Sequence, residues 1–419
     1  MENVSQAHGR FARVVAEVRD DPALRAYGAV LALIHVLTAW WLFDNRLYLL
    51  LPTTDPVCWP LVPGCDALRV LSPRMLRVVV VGYGSLGALA TVLFLCRRTA
   101  GVAFVLLAGL VALEISILAL DFRLRRNQHY MALATMLTFL ALPNRRDTVR
   151  VLIVLFYVWA GMLKLDYEWL SGAGLYKPIW LFTGRGIVVA CIYVVVLELV
   201  IVWGLLTHRR GWFWAAFAQV LVFHVFSWNV VGYFYPVLMF GLLTIFPLCQ
   251  WVPPPAGSTA SPTLLRDLVR GRAAVSVYVA ATALSVLQLI PHLYPGDIAL
   301  TGEGRLYALN MFDAKMRCDA FAELRNRDGS TSRESLLLST EPRTRCDPIM
   351  VRAAALMLCA RRDRGELDFV DLDMVLSTRR FTDPVMHTLI DLHDVCANPP
   401  RYDPFFHNDW IMAVSRASH

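Results

Sequence analysis

Charge is scarce in this chain of 419 residues: Asp, Glu, Lys and Arg make up only 17% of it, against roughly a quarter in soluble domains. With 57% apolar residues and a mean hydropathy of +0.51, that shortage excludes an ordinary soluble globule and leaves an integral membrane protein. The first 25 residues lack an apolar core and carry both charge signs, so no cleavable signal peptide is expected. CxxC and HxxxH spacings are missing, which weighs against zinc, and no metal is expected. No internal repeat is visible. A formal charge of +7 would suggest nucleic acid in a soluble protein. Here the arginines occupy short loops between apolar runs, so they set orientation and imply no nucleic-acid partner.

What is present is a series of apolar runs long enough to span a bilayer, at about 27–51, 76–96, 100–120, 128–143, 149–166, 186–207, 212–228, 231–249 and 272–294. They predict an all-α polytopic membrane bundle of about nine transmembrane helices, the fourth short. Arg97-Arg98, Arg145-Arg146 with Arg150, Arg209-Arg210, and Arg266, Arg270 and Arg272 fall in alternate loops. With the basic N-terminal segment they define a cytoplasmic side; only the stretch Asp121 to Arg126 breaks the pattern. Segments 1–26, 27–294 and 295–419 are then a cytoplasmic amphipathic N-terminal segment, a transmembrane domain and an extracytoplasmic domain. The localisation implied is the inner (cytoplasmic) membrane, multi-pass, with a periplasmic or extracytoplasmic C-terminal domain.

That last domain reads as small and α+β. Partial alternation from Leu306 ends at Arg327-Asp328-Gly329, a hairpin signal, and 332–339 would return as a second strand. "DPIMVRAAALMLCARR" has helical periodicity with Asp347 as N-cap, and "LDFVDLDMVLST" alternates like another strand. Of nine cysteines, Cys96, Cys191 and Cys249 fall in spans or at their cytoplasmic ends. The other six, Cys58, Cys65, Cys318, Cys346, Cys359 and Cys396, fall in segments assigned to the outside, as disulfides in an oxidising compartment would.

Lys164 ends the apolar run "VLIVLFYVWAGMLK". An ammonium at membrane depth is costly and is read as functional by default. Helical spacing puts Tyr157, Gly161 and Lys164 on one face, with a glycine that lets something approach the backbone. His224 lies in the seventh span, and Asn127 and His129 lie at the outer entrance of the fourth. A partly desolvated lysine can act as a base, so these residues form a candidate proton-transfer site. The bland alternatives are a lysine that snorkels toward Asp166 and a core histidine satisfied by a carbonyl or serine. Glu114 and Glu198, in the third and sixth spans, are equally odd and have no partner evident from the sequence.

"FYVWAGMLKLDYEWLSG" resembles the signature of the vitamin K-dependent γ-glutamyl carboxylases and their bacterial relatives, the horizontally transferred transmembrane domain family. "DPVCWPLVPGCDALRVLSP", "VFHVFSW", "YALNMFDAKM…RDG" and "LSTRRFTDP" resemble further segments of that family, in order along nearly the whole chain. The carboxylases' additional large luminal domain is missing. The resemblance implies that Lys164 is the base that deprotonates a reduced vitamin K or menaquinol-type quinone. Oxygen then turns the quinol anion into a strong base that removes a proton from the substrate, and carbon dioxide adds to the carbanion. It implies a quinol pocket of Tyr157, Asn127, His224, Gly161 and Met311. Gln128 stands where the family has a histidine; it can hydrogen-bond but not relay a proton near neutral pH, and His129 is displaced by one. The partners implied are the lipid bilayer, a quinone, CO2 and O2, and a secreted peptide or small-molecule substrate. The alternative is a non-carboxylating membrane maturation or scaffold protein of the same fold.

The resemblance also pairs Cys58 with Cys359, a bridge tethering the outer domain to the first loop. In the chain-entropy model a loop of hundreds of residues is worth on the order of 4–5 kcal/mol. The local competitor is Cys58 with Cys65. Cys318–Cys346 is expected as a second pair.

Overall fold

The computed structural model describes residues 12–44, 57–62, 65, 72–175, 177, 181–310, 315–338 and 342–414. After a helix at 12–20, the bundle is built from α1 (Pro22–Asp44), α2 (Pro73–Leu95), α3 (Ala100–Ala119), α4 (Asn127–Ala141), α5 (Arg145–Leu163), α6 (Arg185–Leu199), α7 (Arg210–Val231), α8 (Phe234–Leu243) and α9 (Val275–Leu289). A 3-10 turn, Ile201–Leu206, prolongs α6, and Ile245–Trp251 prolongs α8. Among the described residues, seven helices are long and apolar enough to cross a membrane: α1, α2, α3, α7 and the extended α6, α8 and α9.

The other two sequence-assigned spans, α4 and α5, are helices packed inside the bundle. α4 is 15 residues long. α5 begins Arg-Arg-Asp-Thr-Val-Arg yet is buried along most of its length, because its charges are neutralised where they stand. Arg146 holds Asp21 through two bonds of 2.5 and 2.7 Å and donates to the Val252 carbonyl. Arg145 pairs with Glu17, and Arg150 with Asp147. Buried charges persist only when paired in this way. The charged end of α5 therefore closes one face of the bundle, and its apolar remainder runs through the core toward Lys164.

The C-terminal region forms a four-stranded antiparallel sheet in the order β2-β1-β3-β4, from β1 (Met316–Asn326), β2 (Thr331–Ser335), β3 (Phe369–Arg380) and β4 (His387–Leu392). Gly329 closes the β1–β2 hairpin at φ +81°, a conformation that suits glycine. α10 (Pro348–Asp363) packs on β3, capped by Asp347, whose Oδ1 accepts from Ile349 N at 3.0 Å. The hairpin turn, the capped helix and the third strand fall where alternation and capping signals put them, but β1 begins at Met316 rather than at Leu306 and β2 spans Thr331–Ser335 rather than 332–339.

The disulfides correct one expectation. Cys318 pairs with Cys346, but Cys58 pairs with Cys65, and Cys359 with Cys396. Cys359 lies on α10 with its Cα 5.4 Å from that of Cys396, just past β4, so its partner comes from within its own domain. The expected Cys58–Cys359 tether is absent. The first loop nonetheless meets α10 through apolar packing: Val57 and Phe122 are buried with Leu306, Ile349 and Met350, and Trp59 packs against them.

Candidate functional site

Lys164 is the C-cap of α5, its N–H bonded to the Gly161 carbonyl at 3.1 Å. The side chain turns into the bundle. Nζ donates to both carboxylate oxygens of Glu198 on α6, each at 2.6 Å, and lies 5.1 Å from the Trp169 ring centroid. With 2% and 0% of their side chains exposed, neither partner reaches water, so Lys164 does not snorkel toward Asp166. Gly161 makes the pairing possible. A Cβ there would meet Leu199 at 2.8 Å and the Glu198 Cβ at 3.0 Å, so glycine is what lets α6 come this close. The glycine predicted to admit an approach does so, and what approaches is Glu198 itself.

One turn up the helix, the Tyr157 hydroxyl bonds His224 Nε2 on α7 at 2.5 Å. The imidazole is fully buried among the rings of Phe223, Tyr235 and Phe240, at centroid distances of 5.0, 5.4 and 6.0 Å. Its Nδ1 has no hydrogen-bond partner. The Lys164–Glu198 charges are close enough to act electrostatically on His224, Tyr157 and Tyr235. α5, α6 and α7 thus bring a cation, a carboxylate, a phenol and an imidazole into one dry region.

The entrance residues go elsewhere. Asn127 spends its amide on the backbone of Asn310: Nδ2 donates to the carbonyl at 2.7 Å and Oδ1 accepts from N–H at 3.2 Å. Gln128 is half-buried in the first turn of α4. His129 joins a second cluster, where its Nδ1 lies 3.3 Å from Glu114 Oε1. Glu114 Oε2 accepts from the Tyr83 hydroxyl at 3.2 Å and lies 3.1 Å from His35 Nδ1. His129 also stands edge-on to Trp41, with Phe234 on another side. The structure thus brings Tyr157 to His224 and Lys164 to Glu198, and gives His129 to Glu114. Met311 lies outside the described residues.

The C-terminal region meets the bundle at two places. Leu309 packs into the bundle core, while Tyr130 donates to the Leu306 carbonyl at 2.9 Å and Arg125 to the Arg305 carbonyl at 2.8 Å. Directly after Lys164, Asp166 and Glu168 receive Arg380 from the end of β3 at 3.0 and 3.3 Å. Arg380 also binds Asp297 through bonds of 2.5 and 2.8 Å. Glu168 accepts in addition from the backbone N–H groups of Phe381 and Lys315. Burial pushes the Glu168 carboxyl up despite Arg380. Burial opposes the Arg380 charge, but Asp297, Asp166 and Glu168 outweigh it and hold the guanidinium above its usual range. Asp166 and Glu168, just after Lys164, therefore form a clasp for the sheet domain.

Glu198 and the Glu114 cluster were the residues that sequence reasoning left unpartnered. The available signal was charge arithmetic: a membrane-depth lysine needs a counter-ion, and carboxylates at 114 and 198 stood in apolar runs. The described residues form a mostly helical protein with seven helices long and apolar enough to cross a membrane, a small antiparallel sheet, and a buried group of Lys164, Glu198, Tyr157 and His224. The chain matches no family model, no curated protein and no solved structure.

Proposed function

We propose that this chain is a multi-pass enzyme of the inner membrane, similar to the vitamin K-dependent carboxylases, that uses a reduced quinone from the bilayer to modify a secreted peptide or small molecule. In this reading α4 and α5 complete nine spans, the N-terminus is cytoplasmic and the sheet domain lies outside. The observation that carries it is the Lys164 amine sealed against Glu198 beside the Tyr157–His224 pair.

The lining suits such a ligand. His224 offers a buried nitrogen without a partner among aromatic rings, a combination that fits a flat ring bearing a hydroxyl. When bound, a reduced quinone supplies an acidic hydroxyl, two electrons and, with oxygen, the driving force for breaking a substrate C–H bond to which carbon dioxide adds. The chain's own part begins with the Lys164–Glu198 pair. In a dry pair the proton can sit on either partner. Passing it from Nζ to Glu198 leaves a neutral amine whose lone pair accepts a proton from the ligand, and Glu198 stores the one displaced. Only a lysine can do this. The chain has just three, Lys164, Lys177 and Lys315, among 40 basic residues, so 40 − 3 = 37 are arginines, which stay protonated. Tyr157 orients His224, and the outer domain keeps water from the amine.

A second reading has its own observation. Lys164 is saturated by Glu198, and Asn127 by Asn310, as a non-carboxylating scaffold or maturation protein of the same fold would have them. Proteoliposomes carrying reduced menaquinone or vitamin K, oxygen and labelled CO2 separate the two. The enzyme oxidises the quinol well above the protein-free rate, and Lys164→Ala and Lys164→Arg each lose it by about 100-fold or more, the scale of a lost general base. An active Lys164→Ala protein would eliminate the base assignment. A wild-type protein that binds quinol without oxidising it would favour the scaffold.

A further inference from the structure

The outer domain carries two adjacent, exposed phenylalanines on a braced turn. Phe405 and Phe406 are 66% and 72% exposed. Asp403 Oδ1 accepts from both of their backbone N–H groups, at 2.8 and 3.2 Å. Asn408 closes the turn, accepting from Asp403 N at 2.7 Å and donating to the Asp403 carbonyl at 3.0 Å. Glu303, fully buried, accepts from Asn408 N at 2.8 Å and lies 2.8 Å from His407 Nδ1. A turn held by this many bonds does not fold its rings inward, so both remain presented to whatever surrounds the protein.

The place of the turn says what that is. The Pro404 carbonyl accepts from the Tyr294 hydroxyl at 2.8 Å and from the Tyr307 hydroxyl at 3.0 Å. Tyr294 directly follows Leu293, the last residue of the candidate span Val275–Leu293. Along that span Val275, Val279, Val286 and Leu293 are exposed, and Leu293 is 83% exposed. Their spacings of four, seven and seven place them on one helix face. An apolar stripe that would face acyl chains thus runs up α9 and its 3-10 end and leads to the phenylalanine pair.

We propose that Phe405 and Phe406 form a membrane foot, which inserts into the leaflet at the C-terminal end of α9 and seats the sheet domain on the lipid surface. The occupant is the acyl and headgroup boundary of the bilayer, where aromatic rings are favoured. The proposal does not depend on quinone chemistry.

Spin-label accessibility tests it in the full-length protein, with the three free thiols Cys96, Cys191 and Cys249 replaced and the disulfides kept. Phe406→Cys carries the label in phosphatidylcholine–phosphatidylglycerol liposomes. Val370→Cys is the aqueous control. It is exposed at the opposite end of β3 from Arg380, ten residues and so about 33 Å away. At 406, oxygen should relax the label several-fold more than a water-soluble nickel chelate, and at 370 the order should reverse. A label at 406 as open to nickel as that at 370 would overturn the proposal. So would an immobile label shielded from both agents, which would mean that a protein surface covers the turn. If the thiol-replaced protein fails to fold, a benzophenone amino acid at 406 in the otherwise native chain reads the same contact. Lipid adducts support the foot, and adducts with protein alone overturn it.

Discussion

Glu198 and Glu114 are both buried in apolar stretches of the bundle, and each solves the problem of a carboxylate without water differently. In α5, α6 and α7, Glu198 is met by a lysine, one charge against one, at 2.6 Å. In α1 to α4, Glu114 is met by His35, His129 and Tyr83, and among the described residues neither lysine nor arginine bonds it. The first centre meets its carboxylate with a single side chain, the Lys164 amine. The second depends on whether an imidazole is protonated, and it distributes the carboxylate's bonds over three other helices. One is a compact pair between two helices. The other joins α1, α2, α3 and α4 into a unit. The C-terminal region touches both halves, through Asn127 and Asn310 on one and through Asp166, Glu168 and Arg380 on the other.

The sharpest way to break this contrast is to remove one partner at each centre. Glu198→Leu leaves the Lys164 ammonium bare and should cost about 3–5 kcal/mol, whereas Lys164→Met with Glu198→Leu should recover most of the loss. Thermal unfolding in detergent, read by a thiol-reactive dye reaching the buried Cys191 in a protein with Cys96 and Cys249 replaced, measures both. At the other centre Glu114→Gln keeps hydrogen-bonding atoms in place and should cost about 1–2 kcal/mol, the scale of a weakened charge-assisted bond. Equal losses for the two single variants would show that the centres do not differ in this way.

A smaller effect is expected from Gly161→Ala. The added methyl meets Leu199 and Glu198 and must push α6 away from α5, at a cost of about 1–3 kcal/mol. Under the proposed function it should lower quinol turnover along with stability, since it separates Lys164 from Glu198. A stable variant with full turnover would show that the close approach is incidental.

The smallest concerns the clasp. Glu168 holds its proton more tightly folded than unfolded, so the folded state binds more protons between the two values. Its contribution is fully present below the ordinary glutamate value and is lost as pH rises through the higher folded one. Limited proteolysis of the sheet domain should therefore quicken modestly over that window, and Glu168→Gln should flatten the profile.

What could be read ahead of the structure follows from the range of each signal. The membrane class came from composition and apolar runs, and the β1–β2 hairpin, β3 and α10 from local alternation, capping and turn residues. Those signals act within a few residues, and the structure keeps them. The placement of Tyr157 and His224 in one region followed from resemblance together with helical spacing. Glu198 as the partner of Lys164, and Glu114 as that of His129, depend on which helices pack together, and no local pattern states that. The Cys58–Cys359 pairing failed for the same reason. The expected entropic advantage of a long loop is irrelevant when each thiol has a neighbour within its own segment, and Cys65 and Cys396 are those neighbours.

The three disulfides close over 7, 28 and 37 residues of sequence. Under the proposed topology, each pair would emerge on the oxidising side almost together as the chain is threaded through the membrane. The first bridge can form while most of the polypeptide is still unmade, and none has to wait for the C-terminus to return to an early loop. Correct pairing then follows the order of synthesis, so the oxidation of this protein should need a thiol oxidant but little help from an isomerase.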